Sequence, residues 1–159
     1  MLEMHVVGLG LDANQNPVVL LREINGETVL PIWIGPAEAT AIAAALQDVK
    51  IERPLTHDLM KTIIEGLKAK VTKVIISDLK DNTFYAKVIL EKEESFISID
   101  ARPSDSIALA LRTKSPIFVS LKVLGRPSEE TTKEEEPEKE SLSEYLKRLN
   151  PEDLGKFRV

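Results

Sequence analysis

The apolar residues of this chain fall into short runs separated by turn residues, and the runs read as strands and helices in a repeated order. Met4 to Leu11 predicts a strand, Asp12 to Pro17 a turn, and Val18 to Glu23 a second strand. Asn25-Gly26 then marks a hairpin into a third strand, Thr28 to Ile34. Pro36 opens a helix, rich in alanine and isoleucine, through Gln47. A second helix runs from a Thr56 cap to about Lys70, with Leu59, Ile63, Ile64 and Leu67 as its buried stripe. The order then recurs. Lys73 to Asp78, Phe84 to Glu91 and Ser95 to Asp100 predict strands, with a turn at Lys80 to Asn82. Pro103 opens a helix to Thr113, and Ile117 to Ser120 predicts a short strand before a helical turn near Leu124.

The recurrence holds at a constant offset of 67, which carries Pro36 onto Pro103. The same shift places Glu38 on Asp105, Ala41 on Ala108, Leu21 on Val88 and Ile32 on Ile99. One offset kept over so many positions predicts a duplicated strand-strand-strand-helix unit. The copies, about 4–70 and 71–125, would be related by an approximate two-fold, with clefts where they meet. The expected class is α+β with a largely antiparallel or mixed sheet, in one domain over 1–126.

Beyond Pro127 the pattern changes. Residues 127–141 are polar and acidic, without apolar groups to bury, and are expected to form a mobile linker. In the tail, 142–159, Leu142, Tyr145, Leu146 and Leu149 fall on one side of a short C-terminal helix. From Pro127 onward ten acids face six bases, whereas the part before holds sixteen acids and fifteen bases. The folded part is therefore nearly neutral, and any grip on nucleic acid must be local rather than a broad basic surface. Cysteine is absent, which removes disulfides, thiolate chemistry and cysteine–zinc sites. No apolar run is long enough to span a bilayer, and the N-terminus lacks signal-peptide features, so the expectation is no membrane and a cytoplasmic location. The lysine- and glutamate-rich surface leans toward a thermophilic source. Sheet edges and the apolar side of the tail helix need cover, so a homo-oligomer, most simply a two-fold dimer, is expected.

Three segments carry possible chemistry. Asp100-Ala101-Arg102-Pro103-Ser104-Asp105 ends a strand at a helix mouth. Asp105, third in its helix, is explained by the helix dipole, as is Glu38 in the first copy. Asp100 and Arg102 are not, because the offset sets Trp33 and Gly35 against them. Two carboxylates there can hold a divalent metal and Arg102 can take a phosphate oxygen; a structural Asp100–Arg102 pair is the alternative. In Arg53-Pro54-Leu55-Thr56-His57-Asp58, His57 falls in the first helical turn, where the dipole favours neutral imidazole, making it the best candidate base; an ordinary surface histidine is the alternative. Trp33, the sole tryptophan, lies in an apolar strand and reads as core or interface rather than as a base-stacking platform.

With these residues in view, the chain resembles the bifunctional nuclease domain family. The resemblance rests on LPIWIGPAEATAIA (Leu30 to Ala43), RPLTHDLM (Arg53 to Met60) and IDARPSDSIALALR (Ile99 to Arg112), within a match of about Met1 to Gly125. The tail EYLKRLNPEDLGKF resembles the helical end of many bacterial members. The resemblance implies an α+β fold and nuclease activity on RNA and DNA. It makes a divalent-metal-dependent phosphodiesterase the leading expectation. Magnesium or manganese would sit on Asp100 and Asp105. Arg102, Arg53 and Ser104 would bind substrate, and His57 would relay a proton beside Asp100, Arg102 and Arg53. The alternative is a non-catalytic, homo-oligomeric binding or regulatory module whose motifs are helix caps.

Overall fold

The computed structural model describes residues 1–125. The predicted linker and tail lie outside the described residues. Seven strands and three helices alternate as β1 (Leu2–Leu11), β2 (Pro17–Glu23), β3 (Val29–Trp33), α1 (Pro36–Leu46), α2 (Thr56–Gly66), β4 (Lys70–Lys80), β5 (Thr83–Lys92), β6 (Ser95–Ala101), α3 (Pro103–Thr113) and β7 (Ile117–Val119). The strands form one sheet in the order β3-β2-β1-β7-β4-β5-β6. Two antiparallel meanders flank β7, which pairs antiparallel with β1 and parallel with β4. The mixed, mostly antiparallel α+β class agrees with the sequence reading.

Pro36 and Pro103 both occupy the first helical turn, where a missing N–H costs nothing. α3 is the central helix. It packs against α1 and α2 and buries seven residues, whereas α1 and α2 bury only Ile42 and His57. Ile107 and Leu109 of α3 meet Val74, Ile76, Ala86 and Val88 of the sheet and Leu21, Leu30 and Ile32 of the other meander in one core. Val119 and Val123 close that core, so a chain ended after Gly125 keeps every core residue described here. Such a chain is expected to unfold in one cooperative transition; a non-cooperative melt by circular dichroism would disprove this.

α2 differs from its expected orientation. Of the expected stripe only Ile64 packs on the core, beside Met60; Leu59, Ile63 and Leu67 are exposed, while His57 is buried. Position alone does not choose between two apolar stripes on one helix, and contacts to α3 rotate the His57 side inward. The cap also moves. Leu55 is the N-cap, and the Asp58 carboxylate closes back on the Leu55 N–H at 2.9 Å, which makes Thr56 the first helical residue. The helix stops at Gly66 rather than Lys70, because Lys68 adopts a left-handed φ of 63° and releases the chain into β4.

The offset of 67 also meets a local exception. It fits the β1–β2 and β4–β5 pairings, where Met4 faces Glu23 and Val71 faces Leu90. In the next hairpin Val19 faces Ile32, but Ala86 faces Ala101 rather than Ile99. The second hairpin thus gains two residues and its step into the helix loses two. By strand register Asp100 therefore corresponds to Pro31, not Trp33, whereas Arg102 and Gly35 are both helix N-caps.

Candidate active site

The first turns of the three helices are bridged by a chain of ionic hydrogen bonds. Arg102, the N-cap of α3, donates from Nε to Asp105 Oδ2 at 2.8 Å and from Nη1 to Glu38 Oε1 of α1 at 3.0 Å. The other Asp105 oxygen, Oδ1, lies 3.0 Å from His57 Nε2 of α2. An ionised carboxylate can only accept, so Nε2 carries a proton, and in the neutral ring the lone pair falls on Nδ1. Nδ1 makes no hydrogen bond and is not sealed from solvent. A buried histidine oriented by a carboxylate, with its other nitrogen free, is the arrangement of a general base.

Two turns along α3, Arg112 makes a second bridge. Its Nε donates to Asp58 Oδ1 at 2.9 Å, Nη1 to the Ala108 carbonyl at 2.8 Å and Nη2 to the Ala41 carbonyl at 3.0 Å. The Arg112 side chain is only 6% exposed, against 64% for Arg102. Arg112 therefore ties α1, α2 and α3 together from inside, while Arg102 leaves one edge of its guanidinium open.

Burial pushes the Asp105 carboxyl up, but hydrogen bonds from Arg102 and His57 and their charges outweigh it and hold it below the ordinary carboxylate range. Burial likewise opposes, and the Leu55 N–H and Arg112 override it, at Asp58, which is also lowered. Asp105 first, then Glu38, raise the Arg102 guanidinium. A depressed carboxyl adds stability above its unfolded-state value and loses it as pH falls through the folded one. Melting temperature is thus expected to be level above about pH 5 and to drop below about pH 4, near the unfolded carboxyl values. Asp58→Asn should flatten that drop; an equally steep decline in the variant would refute the assignment.

The structure separates the other predicted site residues. Arg102 and His57 meet through Asp105. Arg53 lines a different cleft of about 600 Å³, beside Asp58, Lys61 and Arg112. Asp100 stands apart. It faces Lys87 across β5–β6, while Ile99 and Ala101 face Val88 and Ala86 of the core, so strand alternation turns Asp100 onto the sheet face away from the helices. It makes no side-chain hydrogen bond or ion pair among the described residues. An Asp100–Arg102 pair is therefore not formed. Asp100 and Asp105 do not converge, since Asp105 faces His57 and Arg102 on the helix side of the sheet, and no group of three or more His, Asp or Glu suited to a metal occurs among the described residues.

A second cleft, about 300 Å³, opens beside Arg102 and Ser104 and is lined by Trp33, Phe84 and Glu38. Trp33 is half-buried there, its Nε1 donating to Asp12 Oδ2 at 2.9 Å, and so is neither plain core nor plain surface. Sequence reasoning missed Arg112 and the Glu38–Arg102 link. The signal for Arg112 was its spacing: seven residues after Asp105, it shares that residue's side of the helix.

No helix among the described residues is long and apolar enough to cross a membrane. The Bifunctional nuclease domain family matches residues 19–132. An uncharacterized protein of Mycobacterium tuberculosis strain H37Rv is 44% identical over 162 residues, covering 96% of this chain and 97% of the relative. Bifunctional nuclease 1 of Oryza sativa subsp. indica is 31% identical over 121 residues, covering 74% of this chain and 37% of the rice protein. Bifunctional nuclease 2 of Oryza sativa subsp. japonica is 34% identical over 110 residues, covering 67% and 34%. The chain thus spans about a third of the plant proteins it matches.

Proposed function

This chain belongs to the bifunctional nuclease domain family, and from that premise we propose that it hydrolyses phosphodiester bonds in RNA or DNA at the Arg102–Asp105–His57 cluster. The observation that carries the reading is one carboxylate holding a histidine on one oxygen and an arginine on the other. His57 Nδ1 accepts a proton from the attacking water as its oxygen bonds to phosphorus. The bond to the leaving sugar oxygen breaks, and that oxygen takes the proton from His57. Arg102 offers its unused N–H groups to the phosphoryl oxygens, whose charge grows in the transition state. Asp105 fixes the imidazole tautomer and stabilises the imidazolium. Ser104 contributes a hydroxyl beside Arg102, and Arg53 a cation in the neighbouring cleft.

One observation favours the non-catalytic reading: Glu38 and Asp105 already neutralise Arg102, as a clamp between helix ends would require. The deciding experiment is cleavage of end-labelled RNA and single- and double-stranded DNA by the purified chain, with EDTA, magnesium or manganese, beside His57→Gln and Asp100→Asn. Cleavage lost in His57→Gln and kept in Asp100→Asn supports the site. No cleavage by the native chain under any metal condition leaves the clamp.

A further inference from the structure

We infer that the cleft beside Arg102 is a subsite for a single nucleotide, and that Glu38 occupies the phosphate's place on Arg102 until the nucleotide arrives. The inference takes its ligand class from the phosphodiester reading above, but its evidence lies in the cleft itself. Two aromatic rings, Trp33 from β3 and Phe84 from β5, line it. Base stacking on such rings tolerates any base. Asn82, at the β4–β5 turn, lines it too and has no side-chain hydrogen bond, leaving an amide donor and acceptor for a base edge. A volume of about 300 Å³ lies at the lower end for ligand sites and suits one nucleotide rather than a longer strand.

The phosphate end is marked by two independent features. The first is the start of α3, where the Ser104 and Asp105 N–H groups precede the first helical acceptor pairing, Ser106 N–H to the Arg102 carbonyl. The second is Ser104. It lines the cleft, is only 7% exposed, and makes no side-chain hydrogen bond. No sealed side-chain oxygen among the described residues lacks a partner, so the exposed part of Ser104 includes its hydroxyl, which is free to meet a ligand oxygen.

Charge explains why Glu38 matters. With Glu38 and Asp105 both ionised, Arg102 is outnumbered by carboxylates and offers no net attraction to a phosphate. Asp105 is fixed on both oxygens, by His57 and Arg102. Glu38 holds Arg102 by one contact, to Nη1. It also folds back over Gly35, where a Cβ would run into its carboxylate. Gly35 thus leaves Glu38 room to swing between its own helix end and Arg102. Once Glu38 withdraws, Nη1 and Nη2 form a two-pronged donor suited to phosphate.

Trp33 is the sole tryptophan, so its fluorescence reads this cleft directly. The full chain is titrated with AMP, adenosine, ribose 5-phosphate and inorganic phosphate, in native, Glu38→Gln and Ser104→Ala forms. AMP is expected to quench Trp33 saturably and more tightly than adenosine, with ribose 5-phosphate competing. Glu38→Gln should tighten AMP by about three- to tenfold at low salt, with the gain shrinking as salt rises and with no gain for adenosine. Ser104→Ala should weaken AMP by a similar factor. No AMP quench, or adenosine binding as well as AMP, overturns the subsite; equal or weaker AMP binding in Glu38→Gln overturns the role of Glu38. A chain that cleaves RNA without binding AMP keeps the nuclease reading and loses the subsite. One that binds AMP but cleaves nothing does the reverse.

Discussion

Replacing His57 with glutamine is expected to reduce phosphodiester cleavage by about 10²- to 10⁴-fold, the usual contribution of a positioned general base. Glutamine is close in size, and its amide can still donate to Asp105, so the link between α2 and α3 survives. What it lacks is the basic lone pair of Nδ1. Asp105→Asn should lower the rate as well, for a different reason. An asparagine side chain can either donate or accept, so it no longer dictates which imidazole nitrogen carries the proton. Single-turnover cleavage with saturating substrate isolates this step from binding. A His57→Gln chain that cleaves at the native rate and melts like the native chain would show that the Asp105–His57 pair only joins two helices.

Arg112→Met is expected to cost about 2–3 kcal/mol of folding stability, the second large effect. Methionine fills much of the same space, so the loss comes from charge and hydrogen bonding rather than from a cavity. Removing one partner of a buried ion pair typically costs about 3–5 kcal/mol, because the other charge is stranded. Asp58 is 37% exposed and keeps the Leu55 N–H, so water can resolvate it and the expected cost falls below that range. Arg102, mostly exposed, should matter less: Arg102→Met is expected to cost no more than about 1 kcal/mol. Urea unfolding of the two variants makes the comparison. A cost for Arg112→Met within about 0.5 kcal/mol of native would place it with ordinary surface changes and refute its bracing role.

The two effects divide one helix between two tasks. Near the start of α3, Arg102 borders the smaller cleft and solvent, with Asp105 beside it. At its end, Arg112 is enclosed and holds the flanking helices so that His57 and Glu38 reach those residues. Weakening Arg112 should therefore reduce activity indirectly, through the position of α2, even where the chain remains folded.

Several features were legible in the sequence because they are local. Proline at the first helical turn, an acid two residues later, and Asn-Gly between strands act over a few residues, whatever surrounds them. Together with the Thr56 cap and the apolar runs, they located the three helix starts to within one residue and every strand among the described residues, though not every boundary. The stretches around Pro36, Arg53 and Pro103 were enough to signal the family, and they hold the helix starts that come together. His57 and Arg102 were visible as candidates because each is a charge-capable group at a helix mouth.

Which of those groups meet was decided only in three dimensions. Asp100 and Arg102 are two residues apart in sequence, yet β6 ends between them: the pleat turns Asp100 to the far side of the sheet, while Arg102 caps α3. The two-residue lengthening of the second hairpin, invisible to a constant offset, sets Asp100 against Lys87. Glu38 and Arg102, 64 positions apart, meet because α1 packs on α3. His57 turns inward, with Leu59 and Ile63 outward, because α3 offers it a carboxylate while Met60 and Ile64 suffice for packing. Sequence by itself determined the elements, since their signals act within a few residues. Tertiary structure chose which side chains form the cluster, since side-chain encounters depend on helix rotation and strand register, and a shift of one residue in either sends a charge to the opposite face.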